Sequence, residues 1–365
     1  MSSQLASGPG SFARLGELAR SLGLRHVLVV ADPGIRATGY VDEAVRGLSA
    51  SGVAASTFHD FGENPTADMV EAGRQAAASL GIDGFVGLGG GSSMDCAKGI
   101  NFLLTNGGAM RDYRGYGKAA RPLLPLIAVP TTAGTGSEAQ TYALISDAAT
   151  HEKMACGDPT ALASAVILDP VLTVSQPVGV AAAAGYDAMA HAVETWVTTR
   201  RTPESEACSR EAWDLLSTHY ERVLAAPTDL EARGAMLTGA FKAGAAIERS
   251  MLGATHACAN ALTARYGTAH GVAIGLLLRH VVAWNAEGDA AIAARYRELD
   301  PDLVDILTRT ALAGGMPPDL ASAGARREDL DELVALAAPQ WTGTFNPRPF
   351  DAGAARAIFE RAWNA

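Results

Sequence analysis

The chain has 365 residues, 48% of them hydrophobic, and a mean hydropathy of +0.10, which is enough apolar surface for two cores rather than one. Its net charge of −10, with no basic cluster, argues against a nucleic acid or an anionic membrane as partner. No stretch approaches the roughly 18 apolar residues of a membrane span, and MSSQLASGPGSFARLGELA lacks a basic segment followed by an apolar one, so a cytoplasmic protein with a small-molecule partner is expected. Cys96, Cys156, Cys208 and Cys258 show no C-x-x-C spacing and read as reduced thiols.

Up to about residue 180, short β-branched runs alternate with helical stretches. HVLVVAD (26–32) reads as a strand, VDEAVRGLSASG and MVEAGRQAAASLG as helices, and GFVGLG, PLIAVP and AVILDP as further strands. This pattern predicts an α/β domain over residues 1–179, with a parallel sheet covered on both faces. From VGVAAAAGYDAMAHAVETWV onward strand signals vanish, and helical stretches broken at Pro203, Pro227, Pro301, Pro317–Pro318 and Pro347 predict an all-α domain over residues 180–365. With no repeat or low-complexity linker, the two are expected to pack tightly around a cleft.

In GFVGLGGGSSMDCAKG an apolar strand runs into Gly89, Gly90, Gly91 and Ser92 and then into a segment that can start a helix. Glycines permit close backbone approach, and N–H groups at a helix start attract an anion, so a dinucleotide pyrophosphate fits there. A tight turn is the competing reading, because the spacing is not G-x-G-x-x-G. PTTAGTGSE places Thr131, Thr132, Thr135 and Ser137 after the next strand, where open α/β sheets bind ligands; a polar turn with a helix cap at Ser137 is the alternative. Asp32, closing its strand, suits a ribose hydroxyl and repels a 2′-phosphate, which favours NAD over NADP, or it is simply a turn residue before Pro33.

Asp187 and His191 stand four residues apart in an Ala-rich helical run and so project from one face. His256 and His270 share one nearly uncharged segment, the second just before a glycine that lets backbone pack closely. Three imidazoles and a carboxylate suit Fe(II) or Zn(II) and leave a coordination position for a substrate oxygen. A lone histidine among apolar residues is commonly just a packed side chain, and His151, His219 and His280 are read that way.

The ordered set GPGS, VVADPG, NPT, GGGSSMDCAK, PTTAGTGSE, KMACGDP, ILDP, GYDAMAHAVE, the two-histidine segment and NPRP resembles the iron-containing (group III) alcohol dehydrogenase family over most of the chain. The resemblance implies a Rossmann-like nucleotide domain followed by a helical metal domain, the dehydroquinate synthase-like architecture. It places Asp187, His191, His256 and His270 at the metal-ligand positions. It also gives nucleotide roles to Asp32, Asn64, Gly90, Gly91, Ser92, Asp95, Thr131, Thr132, Thr135 and Lys153, with Lys98 continuing the glycine-loop motif. The implied activity is hydride transfer between NAD and a small alcohol or aldehyde, and the implied assembly is a homodimer.

Departures from the family pattern bear on the substrate. Many relatives carry a further histidine four residues after the third ligand, where this chain has Asn260, which cannot relay a proton near neutral pH. AIERSMLG, before His256, places Ile247 where relatives tend to have an aromatic residue, so Tyr142, Ile247, Leu252 and Asn260 are the candidate pocket residues. Arg249 is either a contact for an anionic substrate tail or part of a solvated face, and residues 286–345 match weakly. The rival readings are a dehydroquinate-synthase-like lyase, for which no Lys/Arg cluster is evident, and a non-catalytic protein with a structural metal.

Overall fold

The computed structural model describes residues 3–148 and 153–363, so His151 lies outside the described residues. Contacts divide the chain into two units: one runs to Thr132 and resumes at Ser137–Gln176, and the other takes Ala133–Gly136 together with everything from Pro177 onward.

The first unit carries strands β1 (Gln4–Ser7), β2 (His26–Val30), β3 (Ala54–Phe58), β4 (Gly84–Gly89), β5 (Gly115–Tyr116), β6 (Leu126–Pro130), β7 (Tyr142–Ser146), β8 (Lys153–Gly157) and β9 (Ala165–Leu168). Its α-helices are α1 (Leu15–Ser21), α2 (Pro33–Ala37), α3 (Tyr40–Ala50), α4 (Ala67–Ala77) and α5 (Gly91–Asn106). Six strands form a sheet in the order β1-β9-β6-β4-β2-β3, and all its registered pairs are parallel. Every residue of β4, β6 and β9 is buried, which is why they read as continuous apolar runs. Leu15, Leu18, Val41 and Leu48 from α1 and α3 join Val27, Val29, Val86 and Ile127 in one core.

The chain leaves β2 toward β3 on one side and leaves β4 toward β6 on the other, so the neighbouring strands β2 and β4 form the sheet's switch point. Loops beyond the carboxyl ends of such a strand pair make a natural crevice for a ligand. A second sheet, β5-β8-β7, contains an antiparallel pair, β7 with β8, that the sequence pattern did not anticipate. Edge strands β1 and β3 were equally hidden, since half-exposed runs such as AASTF lack an apolar stripe.

The second unit is helical: α6 (Val178–Val197), α7 (Pro203–Ala225), α8 (Leu230–Arg249), α9 (Ala254–Tyr266), α10 (His270–Gly288), α11 (Ala290–Leu299), α12 (Leu303–Ala313), α13 (Leu330–Ala337) and α14 (Ala352–Trp363). Pro203 occupies the first turn of α7, where its missing N–H costs nothing, and Pro227, Pro301, Pro317, Pro318 and Pro347 all fall between helices. Helix α6 is buried without a break from Gly185 to Val197, as expected of a helix apolar on all sides. Its small residues let neighbours approach closely: a Cβ on Gly185 would stand 2.8 Å from Met236 Cε and 3.0 Å from Tyr220 Cδ2.

Candidate metal centre

Asp187, His191 and Glu194 occupy positions i, i+4 and i+7 of α6 and so form one stripe, each only 4% exposed. His256 lies in the first turn of α9, also 4% exposed, and His270 is the first residue of α10. Gly271 follows because a Cβ there would stand 2.2 Å from the Ala183 carbonyl oxygen, so only glycine lets the start of α10 press onto α6.

The imidazoles converge on one carboxylate oxygen. Asp187 Oδ1 is 3.4 Å from His191 Nε2, 3.4 Å from His256 Nε2 and 3.7 Å from His270 Nε2. The donors of Asp187, His256 and His270 all lie within 4.8 Å of one another, and His191 joins them through Asp187 and through its ring, stacked on His256 at 4.9 Å. These separations are long for hydrogen bonds, yet Asp187 Oδ1 and His256 Nε2 are buried and have no hydrogen-bond partner. Bonds of about 2.1 Å around a tetrahedral ion put its donors about 3.4 Å apart, so the spacing fits a shared divalent cation. His270 is 30% exposed at its side chain, which leaves an approach to the cluster.

Electrostatics set the members of the cluster apart. Burial works against the charged form of Asp187, but the three histidines hold its carboxyl well below the usual range. Burial lowers His191 to about 4 against the pull of Asp187, keeping it neutral and ready to donate a lone pair. His256 is raised to about 9, because Glu194 and Asp187 outweigh the opposing effect of burial. His219 bonds its own helix at Leu215 and His280 is lowered to about 4 by burial, Arg279 and Arg361.

Two residues that sequence reasoning passed over support the cluster. Glu194 closes the quoted run GYDAMAHAVE, and its seven-residue spacing from Asp187 was the available signal. Asn346, the first residue of NPRP, accepts from the Ala254 N–H and bonds Asn285. The glycines of AGTG were read with the nucleotide loops, but they pack within the helical unit. A Cβ on Gly134 would meet Ala184 Cβ at 2.8 Å, and Gly136, at φ 61°, faces Gly244 Cα at 2.6 Å. Thr135 is exposed on that tetrapeptide.

In the sheet unit, α5 begins at Gly91 with Gly90 as its N-cap and no side chain capping it, which leaves N–H groups for an anion. Gly89 adopts φ 145°, and a Cβ there would lie 2.3 Å from Ser93 Oγ. Asp32 caps α2 by accepting from the Ile35 N–H and also accepts from Ser93 Oγ at 3.3 Å, so its carboxylate sits at the glycine loop. Asn64, held at φ 52°, donates its N–H to Ser92 Oγ. A Cβ on Gly90 would be 3.4 Å from Thr132 Oγ1, and Thr131 Oγ1 is buried with no hydrogen-bond partner. Thus Asp32, Asn64, Gly90, Ser92, Thr131 and Thr132 gather around the β2 and β4 switch point.

Asp95 and Lys98 turn to another task. Asp95 accepts from Ser137 Oγ, while the Lys98 ammonium, 1% exposed, donates to the carbonyls of Ser137, Gln140 and Tyr142. Lys153 stands opposite Ser146 on β8, within electrostatic reach of Asp95. Of the pocket candidates, Tyr142 belongs to the sheet unit, with its ring against Tyr116. Ile247 is buried at the end of α8, Leu252 is half-buried before α9, and Asn260 donates to Gln340 Oε1 at 3.2 Å. Arg249 is exposed and donates to the Ala245 carbonyl.

A parallel-sheet unit with a glycine loop at its switch point, followed by a helical unit with a buried histidine–carboxylate cluster, defines the dehydroquinate synthase-like architecture. Residues 2–170 match the family described as iron-containing alcohol dehydrogenase, and residues 181–363 match its C-terminal part. The chain belongs to the iron-containing alcohol dehydrogenase family and is therefore an oxidoreductase, which sets aside the lyase alternative. Alcohol dehydrogenase 4 of Schizosaccharomyces pombe is 34% identical over 364 residues, covering 97% of this chain and 86% of its own. The NAD-dependent methanol dehydrogenase of Bacillus methanolicus is 30% identical over 93% of each chain. A crystal structure of 1,3-propanediol oxidoreductase, 30% identical, superposes with a TM-score of 0.94 over 99% of this chain and 98% of that one.

Proposed function

We propose that the chain is a metal-dependent, NAD-linked alcohol dehydrogenase and aldehyde reductase, with Asp187, His191, His256 and His270 holding one divalent ion. The observation that carries this is the convergence of three Nε2 atoms on Asp187 Oδ1 at 3.4–3.7 Å, with Asp187 Oδ1 and His256 Nε2 buried and without a hydrogen-bond partner. When bound, the ion supplies Lewis acidity that favours ionisation of an alcohol hydroxyl or polarises a carbonyl, and the nicotinamide gives or takes the hydride.

The protein's own contribution is to bind and orient. Gly90, Gly91 and Ser92 at the start of α5 would offer backbone N–H groups to a pyrophosphate, Asp32, at the same loop, would accept from a ribose hydroxyl, and Thr131 and Thr132 would flank the loop. Asp32 makes NADH the preferred cofactor because its carboxylate repels a 2′-phosphate. The unit that runs to Thr132 and resumes at Ser137–Gln176 carries the glycine loop and is read as the nucleotide domain, and the unit of Ala133–Gly136 and everything from Pro177 onward, with the histidine cluster, as the metal domain. Asn260 donates to Gln340 and cannot titrate, so it would not relay a proton from the substrate. Ile247 and Leu252 bracket the turn into α9 that carries His256 and are read as bordering the substrate, where a residue smaller than an aromatic would favour a branched or longer one.

The family resemblance supports a homodimer, and four unpaired cysteines support a reducing, cytoplasmic setting. Among the described residues no helix is long and apolar enough to cross a membrane. The deciding experiment follows NADH absorbance with a panel of small aldehydes, before and after chelation. Activity lost on chelation and restored by Fe(II) or Zn(II) is expected, and the better-restoring ion separates iron from zinc. Activity indifferent to chelator overturns the reading.

A further inference from the structure

Helix α9 carries His256 but cannot cap itself: its N-cap is Gly253, which has no side chain. The open N–H groups of its first turn are taken by residues from elsewhere. Glu194 Oε2 accepts from the Gly253 N–H at 3.0 Å, Glu194 Oε1 from the Thr255 N–H at 2.6 Å, and Asn346 Oδ1 from the Ala254 N–H at 3.2 Å. Glycine suits this position, since a Cβ there would press on both acceptors, 3.0 Å from Asn346 Oδ1 and 3.1 Å from Glu194 Oε1. The same Glu194 Oε2 also lies 2.6 Å from His256 Nδ1. One buried carboxylate therefore accepts from two backbone donors and bonds the Nδ1 edge of the imidazole.

We infer that Glu194 is a positioning residue for the metal centre: by accepting a proton-bearing Nδ1 it holds His256 in the tautomer whose Nε2 lone pair points at Asp187 Oδ1. The inference rests on the proposed ligand set. An imidazole free to flip or to carry its proton on Nε2 would present a donor, not a lone pair, to the ion. The carboxylate suits the task better than an amide, because all three groups facing it are N–H donors. An amide at 194 would have to turn its NH2 toward one of them. Asn346 shares the capping but does not touch His256 among its hydrogen bonds, so it separates the two effects.

The test measures the Zn(II) dissociation constant by competition with a chromogenic chelator, together with the melting temperature of the metal-free protein, for wild type, Glu194→Gln, Glu194→Asp, Asn346→Ala and His256→Ala. Glu194→Gln is expected to weaken Zn(II) about 10- to 100-fold, the range for a lost partner behind a histidine ligand. In the zinc-loaded protein it should also shift upfield the imidazole N–H proton resonance assigned to His256. Glu194→Asp, which keeps the charge on a shorter arm, should recover part of the affinity. Asn346→Ala should lower the melting temperature while leaving Zn(II) affinity within about threefold. Zn(II) binding by Glu194→Gln within twofold of wild type, while His256→Ala loses it, overturns the inference and leaves the ligand set standing. Equal weakening by Asn346→Ala also overturns it, because the effect would then be placement of α9. If His256→Ala retains the ion, the ligand set itself fails.

Discussion

At the cluster on α6, α9 and α10 the groups offered to a ligand are side chains, aimed by other buried side chains; at the loop between β4 and α5 they are backbone N–H groups, aimed by the absence of side chains. In the first, Glu194 and Asn346 reach across from distant parts of the sequence to fix the helix that carries His256. In the second, Gly89 at φ 145° lets the chain turn where a Cβ would strike Ser93 Oγ at 2.3 Å. A metal centre needs several donors placed to a few tenths of an ångström, whereas an anion needs a concave run of N–H groups, which one short turn can supply. Substitutions in the two regions should therefore fail in different measurements.

The largest effect is expected from His256→Ala or His270→Ala. Each should abolish metal retention and lower turnover by about three orders of magnitude or more, since the Lewis acid is lost with its ligand. Circular dichroism and NADH binding should remain near wild type; stoichiometric metal with normal kcat in either variant breaks the comparison at its helical end. Gly89→Ala should give the converse. Its forced φ and the close contact cost about 1–3 kcal/mol, and the NADH dissociation constant should rise about tenfold or more while metal content stays at wild type. A variant that loses metal instead would mean that the two regions are not separable.

A finer test uses Asp32, which both caps α2 and faces the glycine loop. Asp32→Ser keeps a capping oxygen but removes the charge, so the preference for NADH over NADPH should fall about tenfold with little change in melting temperature. Asp32→Ala should add about 1 kcal/mol of destabilisation from the lost cap. Equal use of both cofactors by wild type would remove Asp32 from the ribose site.

Glu138 offers a pH test inside the sheet unit. Its carboxyl is 2% exposed, Oε1 has no hydrogen-bond partner, and burial pushes it up to about 7 against the pull of Lys98. The folded state thus holds this proton more tightly than the unfolded chain, whose carboxyl titrates near 4.5. Its contribution is most favourable at low pH and declines as pH rises from about 4.5 through 7. Glu138→Gln should remove that decline, so its melting temperature relative to wild type should climb between about pH 5 and 8, by up to a few kcal/mol in stability. A pH-independent difference would show that Glu138 finds a charge partner. The smallest effect is expected at Arg249, exposed and bonded to its own helix. Arg249→Ala should leave kcat/KM for neutral and carboxylate-bearing aldehydes within about twofold; a loss confined to the anionic substrates would assign Arg249 to the tail.

The sequence by itself determined the elements whose chemistry is local. A short apolar run such as GFVGLG, followed by glycines, reads as a buried strand, and a helix apolar on all sides, like α6, is expected to be central to its unit. Asp187 and His191 were legible as a pair because four residues along a helix bring side chains to one face. The tertiary structure alone decided what depends on distant segments meeting. It set Lys98, legible in the sequence only as a continuation of the glycine-loop motif, as an internal tie for the carbonyls of Ser137, Gln140 and Tyr142, some forty residues away. It paired β7 with β8 antiparallel, a choice made by packing rather than by propensity. It also brought Asn346 and Glu194, 152 positions apart in the chain numbering, to the same uncapped helix start, because backbone N–H groups buried there must be satisfied and Gly253 cannot do it.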